Sequence, residues 1–326
     1  MIKFENIKYD KAIMSTLDLF IGTISYESRS SFIFDQIHDE LGNEKMMLFC
    51  TDNYTVLKTA TSLVRHVEEL GYQVRKVGYE DSDTVVKVIC EAIESLTKSR
   101  RALTIGIDYS SMPRSWYCRL PYAIAAKVRP DDKIVFWYAE GEYETKPTEY
   151  PTAGLDMFEL FSGKASLLAN RRAHIFALGY DAVRTQGIIS KLEPEYVIVC
   201  AAYDPTRKDV YDNVRDANQA VINQAALAIT LDISDFSFIV TKLRELVNEL
   251  SAISDVVLIP DGPKPLILAM SLIPRLCGRS GITCLHANRN RATFVPVEVT
   301  ATGKVVGFQM KIGDQENSTA IRNQSV

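Results

Sequence analysis

Short apolar runs alternate with stretches of helical spacing along most of the chain. This alternation constrains the fold more than any other feature. LDLFIGT (17–23), KMMLFCTD (45–52), YQVRKVGY (72–79), ALTIGID (102–108) and KIVFWYAE (133–140) read as strands. Segments 28–42, 55–71, 84–99 and 115–128 between them read as helices. Gly42 and Gly71 end the first two helices, and Asp81, Ser82 or Asp83 can cap the third. Pro121 can kink the fourth. Parallel neighbours need long crossovers, so strands that alternate with helices imply a parallel sheet covered on both faces.

The rhythm stops over 141–172, where prolines and turn residues cluster, and then restarts. Strands are expected at 173–179, 195–203, 229–233, 255–260 and 282–288. Helices are expected at 182–194, 209–228, 236–253 and 265–278. Residues 293–313 read as a hairpin turning near Thr302–Gly303, and 314–326 as a disordered polar tail. The 326 residues suit two domains of about 150 each. The expected fold is α/β, with two tandem Rossmann-like, doubly wound parallel-sheet halves and a C-terminal β-hairpin. Residues 1–140 form the first half, 141–172 a linker or lid, and 173–313 the second half.

The halves read as one unit written twice. Each first strand runs into glycine, tyrosine, an acid and arginine: Gly22, Tyr26, Glu27 and Arg29, then Gly179, Tyr180, Asp181 and Arg184. Tyr26 and Tyr180 stand 154 residues apart, Cys50 and Cys200 stand 150, and Pro113 and Pro263 stand 150. The last pair lies in matched turns, Ser111-Met112-Pro113-Arg114 and Asp261-Gly262-Pro263-Lys264.

Both turns fall where a parallel strand hands over to a helix, which is where open α/β sheets bind ligands. A helix N-terminus offers unpaired N–H groups and partial positive charge, and proline suits a helix start. Arg114 or Lys264 there opposes the helix dipole unless an anion is bound, so the pattern suits a phosphate. Ordinary capping is the competing reading. Asp108 reads equally as a ligand or metal carboxylate and as a strand-end cap. Glu27–Arg29 and Asp181–Arg184 read equally as helix-start pairs and as site residues.

Other chemistry is absent from the sequence. The six cysteines form no CxxC pair, and with four histidines there is no zinc-type cluster, which fits a reducing cytosol. There is no GxGxxG, GxSxG or HExxH, and FSGKAS lacks Walker spacing. His174 and His286 read as packed histidines, and Trp116, Tyr117, Phe136, Trp137 and Tyr138 as core. A net charge of −4 argues against duplex nucleic acid. The apolar stretch Pro265–Pro274 is too short to span a bilayer. No cofactor is expected, and self-association is left open.

DVVLIPDGPKPLILAMSLIP (255–274) resembles the strand–turn–helix of CARF-type Rossmann domains, and IDYSSMPRSWY (107–117) is a looser version. The paired pattern resembles proteins associated with prokaryotic antiviral defence. The lysine turn lacks the threonine of CARF domains, and no effector domain is visible. The resemblance implies a cytoplasmic sensor, or a subunit of a defence complex, with a nucleotide or other phosphorylated ligand at the strand ends. Arg114, Lys264, Ser110 and Ser111 would grip phosphates, and Gly262 would let backbone approach closely. Gly22, Ser25, Tyr26, Arg29, Gly179, Tyr180 and Arg184 would form the opposite side. An enzyme acting on a nucleotide would draw its acid and base from Asp108, Glu27, Asp181 and Asp261. A protein-interaction subunit with a vestigial site is the third reading.

Overall fold

The computed structural model describes residues 2–52, 57–98, 101–144, 152–162, 171–289 and 295–313. The tail 314–326 and parts of 141–172 lie outside the described residues. The strands are β1 (Ile2–Lys8), β2 (Leu19–Thr23), β3 (Met46–Thr51), β4 (Val74–Val77), β5 (Thr104–Asp108), β6 (Lys133–Tyr143), β7 (Thr152–Ser162), β8 (Arg172–Ala177), β9 (Tyr196–Tyr203), β10 (Leu227–Asp232), β11 (Asp255–Ile259), β12 (Ile282–Arg289) and β13 (Val299–Ile312). The helices are α1 (Lys11–Met14), α2 (Phe34–Ile37), α3 (Lys58–Glu69), α4 (Ser82–Thr97), α5 (Arg114–Tyr117), α6 (Leu120–Ala125), α7 (Ala182–Leu192), α8 (Lys208–Ala217), α9 (Gln219–Gln224), α10 (Phe236–Leu250) and α11 (Lys264–Cys277).

Two sheets result. One has the order β1-β13-β6-β5-β2-β3-β4, the other β10-β9-β8-β11-β12-β7. Numbered within each half, the five parallel strands run 3-2-1-4-5 in both, the order of doubly wound dinucleotide-binding folds. Each chain reversal on the sheet therefore falls between the first and fourth strands, at β2/β5 and at β8/β11. Helices α2 and α3 cover one face of the first sheet and α4 to α6 the other; α7 to α9 and α10 to α11 divide the second sheet likewise.

The outermost antiparallel strands are exchanged between halves. β7 follows β6 in the chain but pairs with β12, the fifth parallel strand of the second half. β13 follows β12 but pairs with β6, the fifth parallel strand of the first half, and then with β1. This corrects two expectations. The segment 141–172 is not only a linker, because Thr152–Ser162 is a sheet strand. The C-terminal segment is no hairpin of the second half. It is one strand of the first sheet, with a register shift between Ala301 and Val305 where a turn was expected. Gly303, at φ +89°, lies in that bulge and produces a bend rather than a reversal.

One hydrophobic core runs through both halves. Every residue of α11 from Pro265 to Pro274 is buried, as expected of a helix apolar all round. The Tyr122 hydroxyl of α6 donates to the Leu272 carbonyl of α11 at 2.7 Å. Phe236 of α10 stacks on Phe308 of β13 with centroids 3.7 Å apart, and Phe4 of β1 meets both edge-on. The halves are thus fused by packing as well as by exchanged strands.

Three helices differ from expectation. Segment 28–42 forms a 3₁₀ turn at Ser28–Ser31 and the short α2, because its polar side chains bond locally instead of facing solvent. Ser30 Oγ accepts from the Ser25 N–H, and Arg29 reaches β6. Segment 115–128 divides into α5 and α6, with Pro121 in the first turn of α6. Segment 209–228 divides at Asn218, whose amide donates to Val214 O.

Candidate functional site

The carboxyl ends of the two sheets meet at a seam, and the two matched turns meet there. Pro113 and Pro263 each stand just before a helix, so Arg114 and Lys264 each open one. Arg114 Nη1 donates to Pro260 O at 2.9 Å and to His286 Nδ1 at 3.1 Å, and Nη2 reaches Asp261 at 3.4 Å. Lys264 Nζ donates to Met112 O at 2.7 Å and Tyr109 O at 3.4 Å, and lies over the Tyr117 ring. Positive charge at a helix start is thus answered by oxygens of the facing half.

Asp261 is shared, because Arg184 Nη2 approaches its other oxygen at 3.3 Å and also donates to Ala287 O. Asp181 caps α7 by accepting from the Arg184 N–H at 2.9 Å. In the first half, Glu27 accepts from Arg29 Nε at 2.8 Å and from Ser111 Oγ at 3.0 Å. Arg29 also reaches the Tyr138 hydroxyl and Ala139 O. Asp108 accepts from the N–H and hydroxyl of Ser110, whose Oγ accepts from the Ala139 N–H. Asp108 is therefore a strand-end cap. Ser25 Oγ accepts from the Glu27 N–H, and Tyr26 lies half-buried beside it.

These contacts set the electrostatics. Burial pushes the Asp108 carboxyl up to about 6, against the Ser110 hydrogen bonds and the pull of Lys264 and Arg29. Burial pulls the Lys264 ammonium down to about 7, with Glu27 and Asp108 opposing and Arg29 and Arg114 assisting. Burial also pushes Glu27 up, but Arg29, Lys264 and the Ser111 hydroxyl outweigh it and hold the carboxylate below its ordinary value. His174 is buried and drawn down to about 4 by burial and by Arg172, so it packs as a neutral ring.

The expected glycine wall is differently built. Gly22 lies inside β2 with the Phe20 ring against it, not at the strand end. A Cβ at Gly262, whose φ is +79°, would stand 2.4 Å from Leu178 O, so this glycine lets the turn after β11 lie close against the turn after β8.

One open space lies beside these turns. A cleft of about 410 Å³ is lined by Gly141, Glu142 and Tyr143 of β6, by Tyr180 after β8, and by Arg207, Val210, Asn213 and Ala217 along α8. Both halves contribute. Its size is that of small-ligand sites. The Tyr143 and Tyr180 rings meet edge to face, with centroids 5.6 Å apart. Asn218 donates to Gly179 O at 2.9 Å and so holds the Tyr180 turn against α8. A Cβ at Gly141 would stand 2.6 Å from Arg29 Nη1, so this glycine lets the buried arginine lie directly behind the cleft floor.

Of the expected site residues, Tyr180 lines the cleft and Arg29 backs it. Glu27, Ser111, Arg114, Asp261, Arg184 and Lys264 come together at the seam. Sequence reasoning missed Tyr143, Arg207 and Asn213. A signal existed for Arg207: Asp204-Pro205-Thr206-Arg207 is another capped turn with a cation at the helix start, and Asp204 accepts from the Thr206 N–H at 2.8 Å. Among the described residues, no cluster of three or more His, Cys, Asp or Glu could hold a metal, and no helix is long and apolar enough to cross a membrane.

No family model matches the sequence, and no curated protein matches it. Among solved structures, the chain is similar to a protein described as a universal stress protein of Pseudomonas aeruginosa UCBPP-PA14, at 10% identity and a TM-score of 0.24, over 84% of this chain and 95% of that one. It is also similar to the cytoplasmic domain of a prokaryotic cation chloride cotransporter, at 10% identity and a TM-score of 0.21, over 84% of this chain and 96% of that one.

Proposed function

We propose that the chain binds a small phosphorylated ligand of nucleotide type in the cleft between its halves. One observation carries this reading: a 410 Å³ cleft at the facing strand ends, built by both halves, with two tyrosine rings and an arginine in its lining. Tyrosine faces suit a planar base, and a guanidinium suits a phosphate. Binding, rather than turnover, fits the carboxylates: Asp108, Glu27, Asp181 and Asp261 all have hydrogen-bond or ion-pair partners within the fold. The shared strand order and exchanged outer strands support descent of both halves from one duplicated unit. A role as a sensor or subunit in antiviral defence rests on the resemblance of the two turns alone.

The test is a thermal-shift screen of linear and cyclic nucleotides. A ligand at ~100 times its Kd stabilises by about 2.7 kcal/mol, a shift of several degrees. The shift is expected in the wild type and lost in Arg207→Ala and Tyr180→Ala. A shift that survives both substitutions places the ligand elsewhere and overturns the reading.

A further inference from the structure

Arg207 lines the cleft and is only loosely paired. Its side chain is only 19% exposed, and a guanidinium carries five N–H donors. Its ion-pair partner among the described residues is Glu142, with the closest oxygen 3.6 Å away, beyond hydrogen-bond reach. A partly buried guanidinium with so distant a partner can take a closer anion without giving up a strong bond.

Asp204 and Glu140, the buried acids nearby, do not answer it. Asp204 is held by Lys304 and by Thr206. Glu140 lies behind, with Tyr211 Oη at 3.5 Å from one oxygen and no hydrogen-bond partner at the other among the described residues. Burial and the nearby Asp204 push Glu140 toward its neutral form. Among the described residues that line the cleft, Glu142 is the carboxylate, and its side chain is 66% exposed. Its backbone is fixed opposite Thr300 in the sheet.

Taking the cleft to be a ligand site as proposed above, we infer that Arg207 is its phosphate subsite and that Glu142 is a tethered competitor for that subsite. A phosphomonoester carries more charge than a carboxylate and presents oxygens in the bidentate geometry that a guanidinium favours. It displaces Glu142, whose side chain turns to solvent, and the ligand's ring lies against the tyrosine wall. The Glu142–Arg207 pair is stretched and its carboxylate is solvated, so displacement costs little. The cleft takes one nucleotide unit, and its selectivity is for the phosphorylated over the unphosphorylated form.

The experiment is calorimetric titration of the wild type, Glu142→Gln and Arg207→Gln with the common nucleoside 5′-monophosphates and with the matching nucleosides, with melts of each protein to show that it is folded. Glu142→Gln is expected to bind the monophosphate about two- to five-fold more tightly than the wild type, with nucleoside affinity unchanged. Arg207→Gln is expected to erase the preference for the monophosphate. Equal monophosphate affinity in the wild type and Glu142→Gln overturns the competitor and leaves the ligand site standing. Absence of binding by all three folded proteins overturns the ligand reading, and the subsite with it.

Discussion

Arg114 and Lys264 occupy the same place in their respective halves, and each donates to backbone carbonyls of the other: Arg114 to Pro260, Lys264 to Met112. The exchange is reciprocal in geometry but not in energetics. Arg114 remains charged and bridges Pro260, Asp261 and His286. Lys264 is a cation whose own burial disfavours its charge. Replacing Arg114 with Met leaves buried acceptors unpaired and is expected to cost about 2–4 kcal/mol. Lys264→Met also leaves the Met112 carbonyl without this donor, but it removes the penalty of burying the ammonium and is expected to cost less than about 1.5 kcal/mol. Urea denaturation of both variants at pH 7 checks the order; equal losses contradict it.

Stability should depend on pH with opposite slopes on the two sides of neutrality. With Lys264 drawn down to about 7, the unfolded chain binds a proton that the folded chain has released, from there up to the usual lysine value of about 10.4. Stability contributed by this group therefore rises with pH across that window, by at most about 1.4 kcal/mol per unit. With Asp108 pushed up to about 6, the folded chain holds a proton that the unfolded chain has lost from about 3.9 upward. That contribution is complete below pH 4 and is lost as pH rises through 6. Denaturant midpoints measured from pH 4 to 10 should lose the alkaline limb in Lys264→Met and the acid limb in Asp108→Asn. Unchanged slopes in the variants would show that neither group carries the shift.

The parallel core was legible because most of its strands are apolar runs and the crossovers between them have helical spacing. α11 announced itself in the same way, since a wholly apolar helix has nowhere to go but the interior. The matched turns were legible because Pro113-Arg114 and Pro263-Lys264 repeat a local chemistry. The exchange of β7 and β13 was not, because pairing partners are set by tertiary packing and no local signal says which sheet an antiparallel edge strand joins. β1 was not assigned as a strand because charged and polar residues interrupt its apolar pattern. The lining of the cleft was not legible, because Tyr143 and Arg207 lie far apart in sequence and are joined only when the halves meet.

The exchanged strands make each half incomplete without the other. A fragment of residues 1–144 contains β1 to β6 but lacks β13, which separates β1 from β6 in the sheet. This fragment is expected to show no cooperative thermal transition alone, and to regain one when mixed with a fragment of residues 145–326. A cooperative melt of 1–144 by itself, followed by circular dichroism, would contradict the exchange.

The central claim is that a nucleotide-type ligand sits between the end of β6, the Tyr180 turn and α8. Hydrogen–deuterium exchange with the tightest nucleotide from the thermal screen tests it most directly. Slowed exchange is predicted at residues 140–143, 179–181 and 205–214, with the Ser110–Arg114 and Asp261–Lys264 turns unchanged because their side chains are already engaged across the seam. Protection confined to those two turns, or spread with no focus on the cleft, would contradict the account.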